Sequence, residues 1–287
     1  MDALNLHSVA KRAVPRVDGR ALLSVERRDG TDRLADLYMR DPLRVLFPRP
    51  QGDEPFPAIL ATISGGLVGG DRLSVEIAVG EGAALQLVGQ AAEKIYRSAG
   101  ADTRVELALR AGPGAILEML PQGTILFDGA RLDRRVDVDA SADATVLTGE
   151  IVSFGRAAMG ESFTRGRLSD RWFVRREGKL VWAEALVLED DIQAVLRAPA
   201  GFAGATALGT AILSAPKPAR SLELARSLLE SRPGIVRSGA SLVGDVLVAR
   251  FLSADGAALR AAFGAFWTGL RAGACGLPER LPTIWQI

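Results

Sequence analysis

Any chemistry in this chain must rest on aspartate and glutamate, because its 287 residues include one histidine, His7, and one cysteine, Cys275. Ser-His-Asp and Cys-His catalytic arrangements therefore have almost no raw material. An internal disulfide and a zinc site built from Cys and His of this chain are excluded as well. The remaining possibilities are carboxylates that act as acid/base pairs and carboxylates that attract divalent cations.

The stretch from 63 to 73, which reads ISGGLVGGDRL, presents one such carboxylate, Asp71. Its two Gly-Gly pairs predict a tight bend, because glycine adopts positive φ without steric cost. A P-loop is excluded, since Asp71 and Arg72 stand where Lys and Ser/Thr would be needed. A dinucleotide-binding fingerprint is excluded too, since the residues after Asp71 alternate like a strand instead of opening a helix.

The composition of the whole chain sets wider limits. With 48% apolar residues, the chain has ample material for a core, as one large β domain or two smaller units. The net charge of +1 gives no sign of nucleic-acid binding. The sequence shows neither a signal-peptide pattern nor an apolar run long enough to span a membrane, so we predict a cytoplasmic protein with no membrane or nucleic-acid partner.

An imperfect repeat of about thirty residues follows the glycine stretch, within the period range that is typical of stacked architectures. Each unit contains an alternating strand, a Gly/Ala/Asp turn, a more apolar strand and a polar loop. The strand pairs are 72–79 with 84–88, 103–109 with 115–120, 131–138 with 144–148, and 171–176 with 179–183. This pattern predicts a mainly β protein, a solenoid-like stack of β-strand pairs.

Polar residues recur at one position of these units. With Ala84, Ala115, Ala144 and Gly178 in register, the residues six further on are Gln90, Pro121 (with Gln122 beside it), Glu150 and Glu184. Equivalent positions of a stack lie about 4.8 Å apart, so the alignment predicts a file of Gln and Glu side chains along the sheet. Stacked carboxylates repel one another, and a passing divalent cation would relieve that repulsion. The alternative is that these residues end strands and face solvent.

The pattern changes at residue 216. We predict a β-stacked body over 1–215 and a helix-hairpin-helix portion over 216–287, packed on the same unit. The expected elements are a helix over 221–231 ended by Pro233-Gly234, a hairpin over 235–252 turning at Gly244-Asp245, and a second α-helix capped by Ser253. Apolar residues at helical spacing predict that the second helix packs on its own domain.

Taken together, these motifs resemble the UreD family of urease accessory proteins, called UreH in some organisms. The matching segments run nearly end to end: Gly65-Gly-Leu-Val-Gly-Gly-Asp71-Arg-Leu, Ala92-Glu-Lys-Ile-Tyr-Arg-Ser98, Leu120-Pro-Gln122, Phe127-Asp-Gly-Ala-Arg131, Phe154-Gly-Arg156 with Gly160-Glu161, and Pro282-Thr-Ile-Trp285. Two positions depart from the family pattern. Ser64 replaces a proline, and Gly123 replaces an acidic residue, so we assign no metal role to the loop at Gln122.

The resemblance implies a non-enzymatic maturation factor for urease. Members of the family form a complex with UreF and, through it, the GTPase UreG, and the complex docks on apo-urease and helps to insert nickel. No tightly bound cofactor is implied; nickel is cargo in transit, for which an internal polar tunnel is proposed. Carried over to this sequence, the candidate metal-relay residues are Asp71, Glu93, Glu150 and Glu184. Carboxylates and water hold nickel weakly enough to release it, which suits relay better than storage.

Two other functions fit parts of the pattern. A β-solenoid carbohydrate-active enzyme would also use paired carboxylates on a repetitive sheet, although aromatic residues make up only 6% of this chain. A pure scaffold would need surface complementarity alone, and the acidic file would have no task. The enzyme would act on a glycan without partners. The nickel conduit would lose nickel delivery when its acidic residues are removed, whereas the scaffold would tolerate that loss.

Overall fold

The structure, a computed structural model, describes residues 16–230 and 235–286. Our prediction of Pro233-Gly234 as a helix stop falls outside these residues, and so does His7. Within them, the strands form two sheets that face each other, as the predicted mainly β stack requires. The fold-class prediction is therefore confirmed.

The first sheet has seven strands. In spatial order they are β14 (Lys179–Leu188), β13 (Arg167–Arg176), β11 (Arg131–Ala140), β8 (Thr103–Ala111), β5 (Arg72–Val79), β1 (Asp18–Arg28) and β2 (Thr31–Arg40).

The second sheet has ten strands. Its main path is β16 (Arg237–Val243), β17 (Val246–Ser253), β15 (Ala207–Ser214), β12 (Thr145–Phe154), β9 (Ile116–Leu120), β6 (Ala84–Gly89), β4 (Phe56–Thr62) and β3 (Leu43–Leu46). Two short strands extend this sheet at the C-terminal end of β12. There β10 (Thr124–Leu126) pairs with β12, and β7 (Glu93–Ile95) pairs with β10.

Three of the four predicted repeat units are coils of this stack. In each, the first strand lies in the first sheet and the second strand crosses to the second sheet, so that neighbouring coils pair in parallel. Ala84 pairs with Ile116, and Ile116 pairs with Thr145. The equivalent of Ala115 and Ala144 is therefore Ala83, and the register predicted for Ala84 is wrong by one residue.

The fourth predicted unit is not a coil. β13 is followed by β14, which turns back and pairs with it antiparallel in the same sheet. The cause is the turn Glu177-Gly178, in which both residues have positive φ, 49° and 72°. A two-residue turn of this kind directs the chain into a hairpin. Gly178 is thus not the equivalent of the coil corners, and Glu184 lies in the first sheet while Glu150 lies in the second.

The C-terminal elements follow the prediction apart from one cap. Helix α1 (Ile192–Arg197), which was not predicted, precedes β15. Helix α2 (Leu222–Glu230) follows β15, and the hairpin of β16 and β17 is followed by α3 (Gly256–Cys275). Ser253 does not cap α3. The Asp255 carboxylate accepts hydrogen bonds from the backbone N–H groups of Ala257 and Ala258, while the Ser253 hydroxyl accepts one from Asp255 N–H.

Two apolar cores result from this layering. One fills the space between the sheets, and the other lies between the second sheet and α3. Every residue of β15 is buried, because both of its faces are covered. No helix within residues 16–230 and 235–286 is long and apolar enough to span a membrane.

Arg271 links α3 and the C-terminal tail to the second sheet. Arg271 of α3 is fully buried and donates to both oxygens of Glu118 on β9, with its Nε 2.7 Å from Glu118 Oε1. It also donates at 2.6 Å to Glu54, which lies in the proline-rich loop 47–55 between β3 and β4, and to backbone carbonyls of Pro278 and Arg280. Since a buried charge must be paired, this arrangement fixes the loop, the helix and the C-terminal tail to the sheet.

Candidate functional site

A cavity of about 250 Å³ lies between the two sheets, at the end where β7 and β10 close the stack. Its walls are largely apolar, with Leu73, Val75 and Val136 from the first sheet and Met119 and Ile151 from the second. Exposed residues, including Gly65, Gln90 and Lys94, stand at its edge, so the cavity reaches the protein surface on that side.

The glycine stretch forms part of this wall. Leu67 makes a parallel bridge to Ile95 of β7. A Cβ on Gly66 would lie 2.5 Å from the Tyr96 ring, and one on Gly69 would lie 2.0 Å from Ser98 Oγ. The glycines are therefore needed for close packing against the 94–101 loop.

Asp71 fixes this bend and does not line the cavity. Its side chain is 3% exposed, and its two oxygens accept hydrogen bonds from the N–H groups of Val17 and Val68, each at 2.9 Å. Asp71 thus accepts one backbone hydrogen bond from within the bend and one from Val17, just before β1. The geometry gives Asp71 a structural task, and its predicted metal role remains a prediction.

Glu93 lies on the cavity wall, on β7. The Thr62 hydroxyl donates to Glu93 Oε2 at 2.6 Å. Burial raises the pKa of Glu93 above its usual value of 4.5, since a poorly solvated carboxyl favours its neutral form, and the Thr62 hydrogen bond only partly offsets this effect. Glu93 is therefore a carboxyl that holds its proton to higher pH than an exposed one.

Glu150 lines the cavity from β12 and is 5% exposed. It is ion-paired with Arg134 of β11, across the space between the sheets. Arg134 also holds Asp170 of β13 through two hydrogen bonds, Nε to Oδ1 at 2.8 Å and Nη2 to Oδ2 at 2.7 Å. One guanidinium is thus shared by two buried carboxyl groups, and the Trp172 indole N–H approaches Asp170 at 3.4 Å.

Glu184 lies beyond this cluster and outside the cavity lining. It is ion-paired with Arg250 of β17, which also donates to Thr210 at 3.0 Å. Thr210 is the direct neighbour of Glu150 on the adjacent strand, and Arg250 is the next neighbour. Polar groups therefore continue from the cavity through Glu150 and Thr210 to the partly exposed Arg250–Glu184 pair, along a path different from the predicted file.

The structure thus brings Glu93 and Glu150 to one cavity and separates Asp71 and Glu184 from it. Gln90 and Gln122 line the same cavity, and Gln122 donates to the Ile284 carbonyl at 3.0 Å. Among the described residues, no group of three or more His, Cys, Asp or Glu side chains converges to hold a metal ion.

The sequence analysis missed Arg134 and Asp170, although a signal was present. In β11 and β13 the inward-facing phase is apolar, with Leu132 and Val136 around Arg134, and Leu168 and Trp172 around Asp170. A charged residue in the apolar phase of a strand must find a buried partner. Arg134 and Asp170 are that pair, on directly opposed positions.

Comparison with known proteins identifies the family. A sequence model described as UreD urease accessory protein matches residues 17–286. The chain belongs to the UreD family. A UreD protein of Magnetococcus marinus is 44% identical over 275 residues, which cover 94% of each chain. UreD proteins of Bradyrhizobium sp. strain BTAi1 and Rhodopseudomonas palustris strain BisB18 are 41% and 40% identical and cover 94% and 99% of each chain.

The UreD relatives are named as urease accessory proteins and not as enzymes, in agreement with the sequence analysis. The family match covers both sheets and the C-terminal helices, and with them every residue of the cavity. The family match therefore spans the whole two-sheet structure. None of these relatives is named as acting on a carbohydrate, so the carbohydrate-active alternative is not favoured.

Proposed function

We propose that this protein is a urease maturation factor that acts with UreF and the GTPase UreG, binds apo-urease and assists insertion of nickel into the urease metallocentre. UreG is expected to join through UreF. The relatives' shared name supports the link to urease. The nickel, the individual partners and a cytoplasmic location are predictions of this proposal.

The observation that carries the nickel part is the cavity between the sheets. It opens at the surface and contains Glu93 and Glu150, and polar groups continue from Glu150 to the partly exposed Glu184. Carboxylates bind nickel less strongly than imidazole or thiolate, so a path built from them favours transfer over retention. We assign Glu93 and Glu150 to the cavity portion of a nickel path and Glu184 to its far end.

The test is maturation of urease from purified components. Apo-urease, UreF, UreG, nickel, bicarbonate and GTP are combined with and without this chain, and urease activity is measured. We expect activation to require the chain. Equal activation without it would contradict the maturation role.

The nickel path is tested in the same assay with Glu150→Gln and Glu184→Gln, which keep side-chain size and remove charge. Glu81→Gln is the matched control, because Glu81 is exposed at a coil corner away from the cavity. We expect both path variants to co-purify with the partners and to activate urease at less than about half the wild-type rate, since each removes a cation ligand. Wild-type rates from both variants would leave a scaffold role.

A further inference from the structure

Arg134 lies between two buried carboxyl groups. It is 8% exposed, and it lies between Glu150 and Asp170, which are 5% and 2% exposed. Of the three residues, Arg134 and Glu150 line the cavity, whereas Asp170 lies behind them. A cation that enters the cavity therefore meets the guanidinium before it can reach both carboxylates.

Two carboxyl groups share one guanidinium in this cluster. Ionisation of both in this poorly solvated place would leave one negative charge unpaired, which is costly. A divalent cation between the same two carboxylates would balance both charges.

An independent feature points to the same place. Thr148 stands two residues before Glu150 on β12, so that both side chains face the first sheet. It is 1% exposed and lines the cavity, and its hydroxyl oxygen has no hydrogen-bond partner among the described residues. A buried hydroxyl normally has a partner, and an oxygen ligand of this kind suits a divalent cation or its bound water.

We propose that Arg134 is a gate in the nickel path, and that a divalent cation enters the position between Glu150 and Asp170 by displacing the guanidinium. This inference rests on the proposed function. The cavity provides room for the displaced side chain, and Thr124 on its wall, 3.3 Å from Arg134 Nη1, already contacts the guanidinium. The returning guanidinium would then expel the cation, which keeps occupancy brief.

The gate is tested by binding of Ni²⁺ to the purified full chain, measured by equilibrium dialysis without partner proteins. Arg134→Gln removes the competing charge and keeps a polar side chain. The double variant Arg134→Gln/Glu150→Gln also removes one ligand. The matched control is Arg135→Gln, the next residue on β11, which is exposed and pairs with Asp137.

We expect Arg134→Gln to bind one Ni²⁺ at least about tenfold more tightly than the wild type, because loss of a neighbouring opposite charge frees both carboxylates. The double variant should lose this gain, and Arg135→Gln should match the wild type. If Arg134→Gln is destabilised, millimolar Ni²⁺ should raise its melting temperature more than that of the wild type, since bound metal stabilises the folded state.

Unchanged Ni²⁺ affinity in Arg134→Gln would overturn the gate, as would a destabilised or unfolded variant that Ni²⁺ does not rescue. The binding assay contains no urease, so its result is independent of the maturation assay. A chain that fails to mature urease but gains Ni²⁺ affinity in Arg134→Gln would refute the proposed function and retain the cation site. The reverse result would refute the gate alone.

Discussion

At the scale of single residues, four carboxylates that the sequence analysis grouped together have three kinds of environment. Asp71 accepts backbone hydrogen bonds in a tight bend, Glu93 is a half-buried carboxyl with a raised pKa, and Glu150 and Glu184 are ion-paired with arginines. Residue type identified possible ligands. Their surroundings decide which of them a cation can reach, and those surroundings depend on strand register.

Glu93 provides a test by pH. Its folded-state pKa is raised above 4.5, so the folded chain keeps a proton that the unfolded chain has already lost, and stability falls as pH rises through that window. Glu93→Gln does not titrate and can still accept the Thr62 hydrogen bond. We therefore expect urea unfolding to show that Glu93→Gln gains stability relative to the wild type between pH 4.5 and pH 8.

Thr62→Val provides a second test. It should raise the pKa of Glu93, whereas Glu93→Gln removes the titrating group. The Thr62 hydrogen bond lowers the pKa of Glu93, so its removal should raise that pKa further and extend the loss of stability to higher pH. If Glu93→Gln and the wild type showed the same pH dependence, burial would not be controlling this carboxyl.

The residues that the sequence analysis missed were the partners of the carboxylates. Arg134 and Asp170 can be recognised as charges in the apolar phase of β11 and β13. Their pairing with Glu150 could not be predicted, because it depends on how the two sheets face each other. The unpartnered hydroxyl of Thr148 is likewise visible only once the cavity is formed.

At the scale of elements, the strands and C-terminal helices were predictable because their periods and turns are local. The failures were also local. The repeat alignment treated Gly178 as a coil corner, whereas Glu177-Gly178 is a two-residue hairpin turn. The coil corners are longer, for example Gly80 to Ala83 and Gly112 to Ala115, where the chain has room to change sheets. The length of the turn was the sequence signal that distinguishes a hairpin turn from a coil corner.

The hairpin turn can be tested with a pair of glycine variants. Gly178 has φ of +72°, and an added Cβ would meet nothing within 4 Å, so Gly178→Ala introduces backbone strain without a clash. We expect it to lower the free energy of unfolding by about 1 to 2 kcal/mol, measured by urea denaturation. Gly239→Ala is the control, since Gly239 has equally open surroundings and no positive φ.

Gly239→Ala should leave the free energy of unfolding unchanged or raise it by about 0.4 to 1 kcal/mol, because alanine reduces the entropy of the unfolded chain. A similar loss in both variants would mean that the positive φ of Gly178 is not what the hairpin requires. The antiparallel return of β14, and with it the position of Glu184, would then need another cause.

At the scale of the whole molecule, the first sheet, the second sheet and α3 form successive layers. The cavity lies between the two sheets. β16 and β17 extend the second sheet, so the C-terminal portion continues the β-stacked body. Buried Arg271 links α3, the proline-rich loop and the tail to this sheet. Sequence periodicity predicted the stack of strand pairs and the C-terminal helices. The cavity between the sheets depends on how the coils pack together with β7 and β10, which periodicity does not reveal.

The proposed function requires that nickel reach urease through the interior of the chain. The nickel content of urease after maturation in excess EDTA tests this requirement. The complex of this chain with UreF and UreG is loaded with nickel, freed of unbound metal, and mixed with apo-urease, bicarbonate, GTP and the chelator. We predict that urease acquires nickel with the wild-type chain and less than about half as much with Glu150→Gln, because interior nickel is shielded from the chelator and needs its ligand. Nickel uptake that EDTA abolishes, or that is the same for both chains, would contradict the claim.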